Sequence, residues 1–206
     1  HFLRRARVDI FAGADVLWAW HADGTAPIDA DGTAVSHGDF TTRGSYYAAG
    51  VSLATLDGNN WSIIAPSWDS LKVYVFDALG NVRAGWPFDT NQPVWSGVAV
   101  GDLNNDGSRE LVFASNGNRF YVLRADGTEW MDGDADAGTP GVFKVLANSY
   151  NYGTPALADI DANGELDIVY AAAEGKLFAW RPNGTSLPGF PGNIGVGTTC
   201  SAAIGH

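Results

Sequence analysis

GDLNNDGSRELVFAS, residues 101–115, sets Asp102, Asn104 and Asp106 at alternate positions, follows them with Gly107, and reaches Glu110 just ahead of an apolar run. Oxygen side chains at this density have two readings. Asp, Asn and Gly are good turn formers, because their short polar groups hydrogen-bond to nearby backbone and glycine tolerates a positive φ. Alternate oxygens on a turning loop can equally converge on a hard cation. What surrounds the loop decides between a polar turn and a cage.

The loop recurs. ADIDANGELDIVYAA carries Asp159, Asp161, Asn163, Gly164 and Asp167 in the same order. A second element repeats in step with it: VLWAWHADG (16–24), KVYVFDALG (72–80), RFYVLRADG (119–127) and KLFAWRPNG (176–184) align without gaps. Each alternates apolar and polar residues before a turn ending in glycine, which is a strand entering a tight turn. From Asp102 to Gly127 and from Asp159 to Gly184 the separation is 25 residues in both cases, and Thr55 of an eroded copy, ATLDGNNWSIIAP, stands 25 before Gly80. A fixed phase across copies marks a true internal repeat.

Each unit holds a small alternating strand, the acidic loop, an apolar strand, the aromatic strand and a variable segment. Four short strands in about 50 residues are one blade of a β-propeller. The expected fold is all-β, built from about four four-stranded blades, either as a closed four-bladed ring or as part of a larger propeller. The repeats run over about 1–54, 55–101, 102–158 and 159–206. His1 stands eight residues before Asp9, as Asp102 stands eight before Glu110, and SAAIGH at the end aligns with GVAVGD (97–102). The first unit therefore supplies strands two to four of its blade, and the last residues supply a spare first strand. An incomplete ring of this kind would invite self-association through its open edge.

Composition narrows the function classes. Hydrophobic residues make up 46% of the 206 positions and charged residues 17%, which fits a folded core. A formal net charge of −11 argues against nucleic acid as a partner, since phosphate binding wants clustered Lys and Arg. No apolar run is long enough to span a membrane as a helix. Cys200 is alone, so no intrachain disulfide forms.

The loops at 102–110 and 159–167, with GKLFAWRPNGTSLPGFPG behind the second, resemble the FG-GAP/VCBS repeats of integrin-α-like β-propellers. The resemblance implies calcium at about two sites, and the residue chemistry supports it independently. Calcium takes six to eight oxygens in flexible geometry. Asp102, Asn104 and Asp106 would offer side-chain oxygens, Ser108 its carbonyl, and Glu110 would close the cage. The corresponding set is Asp159, Asp161, Asn163, the carbonyl of Glu165, and Asp167. An EF-hand begins alike but needs an acid at the twelfth position and flanking helices. Here that position is Phe113 or Tyr170, and the flanks are strands. The second unit keeps Thr55, Asp57 and Asn59, and the first has Leu3 and Arg5 in place of Asn104 and Asp106, so no ion is expected in the first.

Aromatic residues stand just before the first strand of three units, and Tyr47, Trp95 and Tyr152 are the candidate ligand contacts there, against a competing role in inter-blade packing. Asp132, Asp134 and Asp136 read as a solvated loop. No nucleophile–base pair, phosphate loop or zinc spacing is found, so no catalytic residue is assigned. The resulting expectation is a secreted or cell-surface, calcium-binding propeller that serves as a binding or adhesion module for a glycan or an extracellular protein. The competing classes are part of a polysaccharide-active, lyase-like enzyme and a structural stalk.

Overall fold

The structure is a computed structural model that describes residues 9–13, 16–21, 39–41, 49–58, 60–147, 150–195, 197 and 199–205. The first-unit loop with Leu3 and Arg5, the turn at Gly24, Tyr47, Asn59 and His206 lie outside the described residues.

Fifteen strands and no helix occupy the described residues. The first sheet has three: β1 (Asp9–Gly13), β2 (Leu17–His21) and β3 (Asp39–Thr41). The second is β4 (Ser52–Thr55), β5 (Trp61–Pro66), β6 (Lys72–Phe76) and β7 (Phe88–Asp89). The third is β8 (Ala99–Gly101), β9 (Glu110–Ala114), β10 (Arg119–Leu123) and β11 (Val142–Val145). The fourth is β12 (Ala156–Ala158), β13 (Asp167–Ala172), β14 (Lys176–Trp180) and β15 (Gly192–Asn193). Strands follow chain order within each sheet, and every neighbouring pair is antiparallel. Among the described residues the first sheet has three strands, in line with the repeat alignment.

The turn glycines explain the hairpins. Gly80, Gly127 and Gly184 hold φ at 82°, 80° and 82°, a region that costs a β-carbon about 1 kcal/mol or more. Each donates its N–H to the residue three before it, Asp77, Arg124 or Arg181, at 2.9–3.1 Å. Three turns of one geometry follow three strands of one pattern.

Period-2 alternation assigns the two faces of each middle strand to two different neighbours. In β9, Leu111 and Phe113 join the core shared with the second sheet, while Val112 and Ala114 join the core shared with the fourth. In β5, Ile63 and Ala65 face the first sheet and Ile64 the third. Both faces are buried, so the strands read as near-continuous apolar runs. Removing each of the Val, Leu, Ile and Phe side chains from water contributes about 1.5–3 kcal/mol. The first strands also line up side by side, β4 beside β8 and β8 beside β12. Sheets stacked face to face with their first strands innermost are propeller blades.

The four sheets form an open succession. Residues 199–205 form no strand and do not pair with β1. They instead continue the inner row. Gly97 N–H donates to Thr154 Oγ1 at 3.1 Å, and Thr154 N–H donates to Ser201 Oγ at 2.8 Å. Gly97, Thr154 and Ser201 are equivalent repeat positions, so 199–205 lie against the fourth sheet as β12 lies against the third.

Candidate metal centre

The acidic loops join the first and second strands of the third and fourth sheets. Their local geometry is the same, residue for residue. Asp102 accepts the N–H of Asp106 at 3.1 Å and of Gly107 at 2.8 Å, and Asp159 accepts those of Asn163 at 3.0 Å and Gly164 at 2.9 Å. Asp106 accepts from Ser108 N–H at 2.7 Å, and Asn163 from Glu165 N–H at 2.7 Å. The fourth and sixth positions are left-handed in both loops, with φ of 61° and 90° at Asn105 and Gly107, and 57° and 92° at Ala162 and Gly164. The first aspartate thus turns the chain around its own carboxylate. Each carboxylate oxygen that accepts one N–H keeps a further lone pair for another partner.

Glu110 and Asp167 open the second strands, opposite Gly101 and Ala158, and their side chains are buried. Each reaches back to the second loop residue: Glu110 Oε2 accepts Leu103 N–H at 2.9 Å, and Asp167 Oδ2 accepts Ile160 N–H at 2.8 Å. Burial raises the pKa of both, and neighbouring carboxylates add to the rise: Asp106 and Asp102 for Glu110, Asp161 and Asp159 for Asp167. A buried carboxylate under like charges is a costly arrangement, and a cation relieves both causes at once.

The loops exchange acid and amide at the third and fifth positions, Asn104 and Asp106 in one against Asp161 and Asn163 in the other. In 159–167, ligand oxygens of Asp159, Asp161 and Asp167 come within 4.8 Å of one another. Asp167 Oδ1 is buried with no hydrogen-bond partner. An orphaned, buried carboxylate oxygen beside two further carboxylates fits a divalent oxygen-seeking cation. In 102–110 the third position is Asn104, whose Nδ2 donates to Asp106 Oδ2 at 2.9 Å and whose Oδ1 accepts Asp106 N–H at 3.1 Å. That contact, followed by Ser108 N–H, holds the Asp106 pKa below its ordinary value. Among the described residues, no second trio of acids converges as closely as Asp159, Asp161 and Asp167.

Arginines, which the repeat pattern did not single out, enter both neighbouring loops. Arg181 Nε and Nη2 donate to Asp161 Oδ2 at 2.9 and 2.6 Å. In the eroded 55–60 loop, Arg83 Nη2 lies 2.5 Å from Asp57 Oδ2, and Arg83 Nη1 donates to Ser62 Oγ. Arg109, from the loop of the next sheet, donates to Thr55 O at 2.6 Å and to Thr55 Oγ1. Asn105 Nδ2 in turn donates to Gly164 O at 2.7 Å. Loops of successive sheets therefore touch along one end of the molecule.

The candidate ligand aromatics lie in the connections at the other end. Trp95 and Tyr152, separate in sequence, meet edge to face at 5.0 Å. Trp68, on the turn between β5 and β6, adds a second edge contact to Trp95 at 5.9 Å and is 40% exposed. Its position on a turn, outside the repeated aromatic pattern, kept it from being singled out. Trp95 Nε1 is buried with no partner. The Asp132–Asp136 segment behaves as a self-satisfied loop: Asp134 accepts Asp136 N–H at 3.1 Å and the Thr139 hydroxyl at 2.7 Å.

Residues 102–170 match the family model of the FG-GAP-like repeat. No curated protein matches the chain by sequence. Solved structures are similar in fold: the V. cholerae biofilm matrix protein Bap1 has a TM-score of 0.54 at 16% identity, over 87% of this chain and 26% of that one. The computationally designed protein Ika8 gives 0.52 at 17%, over 97% and 50%, and BamB from Moraxella catarrhalis gives 0.50 at 14%, over 87% and 49%. The chain spans half or less of the length of each of these structures. Bap1 and BamB are propeller-type proteins, in agreement with the stacked sheets.

Proposed function

We propose, from the match of residues 102–170 to the FG-GAP-like repeat model, that the chain is a calcium-binding β-propeller segment of an extracellular binding or adhesion module. The observation that carries the metal is Asp167, whose buried Oδ1 has no partner and lies in a loop with Asp159 and Asp161. Asp159, Asp161, Asn163, the carbonyl of Glu165 and Asp167 would hold the ion in the fourth sheet. Asp102, Asn104, Asp106, the carbonyl of Ser108 and Glu110 would hold a second in the third. Calcium supplies a compact positive charge that balances each buried acid and ties the loop to the start of its second strand. The chain's own residues do the rest: the first aspartate sets the turn, and the ninth-position acid anchors the loop to the sheet.

The ligand is a glycan or an extracellular protein, met at the opposite end by Trp68, Trp95 and Tyr152. Aromatic faces supply large contact area at low entropy cost.

Two measurements test the reading. Thermal unfolding in excess calcium and in excess chelator should differ by several degrees, with close to two calcium ions per chain by elemental analysis. Identical melting curves and no bound metal would refute the calcium reading. A glycan-array screen with wild type and Trp95→Ala tests the aromatic end, and binding that survives the substitution removes Trp95 from the site.

A further inference from the structure

The loops of the second, third and fourth sheets place Asp57, Asn104 and Asp161 at one equivalent position. Where that residue is an aspartate, a guanidinium of the same sheet meets it: Arg83 on Asp57 at 2.5 Å, and Arg181 on Asp161 at 2.6 Å. Where it is Asn104, the arginine equivalent to Arg181 turns elsewhere. Arg124 donates to the carbonyls of Glu129 and of Trp130, the latter at 3.0 Å. Guanidinium and third-position carboxylate go together. A neutral amide releases the arginine to the backbone.

Asp161 is also one of the three carboxylates that converge in the fourth sheet. We infer that Arg181 is a built-in competitor for the cation at this loop. In the ion-free loop it offsets the charge of Asp161, placing both Nε and Nη2 on the one oxygen Oδ2. A divalent ion entering the loop draws Asp161 toward itself and faces a fixed positive charge while Arg181 stays. The pair is therefore broken or strained on binding, and the fourth-sheet loop takes calcium more weakly than its three carboxylates alone would. In the 102–110 loop no guanidinium is bonded at the third position, and Arg124 acts on Asp106 only from a distance. In the 55–60 loop Arg109 on Thr55 and Arg83 on Asp57 bring two guanidinium groups to the first and third positions.

The inference rests on the calcium reading of 159–167, and the test separates the two. Calcium is titrated into the whole chain while amide resonances of Gly107 and Gly164 are followed by NMR. Each amide donates to the first aspartate of its own loop and reports chiefly that site, and the separate midpoints distinguish it from the contact that Asn105 makes to the Gly164 carbonyl. In wild type both amides should move, Gly164 at the higher calcium concentration. If Gly164 does not move at all, the calcium reading of this loop fails, and the inference with it, before any substitution is made. In Arg181→Ala and Arg181→Gln the affinity at Gly164 should rise roughly three- to tenfold, the range expected for loss of one partly exposed opposing charge. Gly107 should keep its wild-type midpoint, and the chelated variants should melt below chelated wild type. An affinity at Gly164 that is unchanged or weaker in both variants would overturn the competitor role and make Arg181 a positioning residue for Asp161.

Discussion

Asp167→Asn should change stability in opposite directions with and without calcium. In the chelated protein the wild-type carboxylate is buried, has one orphaned oxygen, and lies close to Asp159 and Asp161. An unpaired buried polar group costs about 1–3 kcal/mol, more when charged. Asparagine keeps an acceptor for Ile160 N–H, which lies 2.8 Å from Asp167 Oδ2, and turns the other half of the group into a donor facing carboxylates. Stability of the chelated variant should rise by about 1–2 kcal/mol, or roughly 2–8 °C for a chain of this size.

Calcium reverses the order. At a hundredfold excess over Kd an ion that binds only the folded state contributes about 2.7 kcal/mol per site. Wild type gains this at 159–167, and the variant forfeits most of it with the closing carboxylate. Differential scanning calorimetry in chelator and in calcium gives both signs from four melting curves. A variant that melts lower than wild type in chelator, yet keeps the full calcium-induced rise, would refute the reasoning: Asp167 would then be a structural acid with no part in the ion site.

Other substitutions test the core and the turns. Tyr170 is buried with its hydroxyl unpaired, and burial pushes the phenol pKa up, so Tyr170→Phe should stabilise the chain by about 1 kcal/mol in urea titration. Phe120 meets Tyr170 at 4.9 Å and Trp180 at 5.3 Å between the third and fourth sheets, and Phe120→Ala should cost about 3–5 kcal/mol by the same assay. At Gly85, φ is +84° and an added β-carbon would fall 1.9 Å from the Asp126 carbonyl oxygen; Gly85→Ala should cost more than about 2 kcal/mol, and soluble protein of wild-type stability would contradict the packing of the second sheet against the third. Asp126 is held below the ordinary aspartate pKa of 3.8 by the Thr128 hydroxyl and then the Thr128 amide. Its contribution to stability is therefore present above that pKa and lost as pH falls through the depressed folded value; an NMR midpoint at or above 3.8 would contradict it.

Much of this architecture was legible because a propeller repeats. The alternation in RFYVLRADG and KLFAWRPNG marked strands, the glycine at its end marked the turn, and constant phase tied the acidic loops to the strands that follow. The offset of the first unit forecast a sheet of three strands. The equivalence of the two loops also held, down to the N–H that each carboxylate accepts. What the pattern hid was their difference. Asn104 and Asp161 are similar in size and turn propensity, so the alignment treated them as alternatives for one role. Their distinction appears only when Arg181, 20 residues away on another connection, comes into reach. Nothing periodic announces that contact, because it joins the turn after the third strand to the loop after the first. Trp68 escaped for a related reason: its turn meets Trp95 only through the stacking of neighbouring sheets.

The stacked sheets also determine where an ion can matter. Each middle strand divides its side chains between two neighbours, so a blade takes much of its stability from the blades beside it. The loops are joined by the same logic, through Arg109 on Thr55 and Asn105 on Gly164. A cation in 159–167 therefore acts on the fourth sheet directly and on the third through the Gly164 carbonyl. The eroded 55–60 loop sits at the other end of that chain of contacts and is held by arginines from its own sheet and from the next. On the proposed reading one rim would mix two solutions to the same electrostatic problem, a guanidinium tied to the chain and an ion drawn from solution. The first is always present, and the second depends on concentration. Calcium should consequently stiffen the third and fourth blades more than the second, an ordering that amide exchange in the two conditions measures, and equal protection of β5 and β13 by calcium would contradict it.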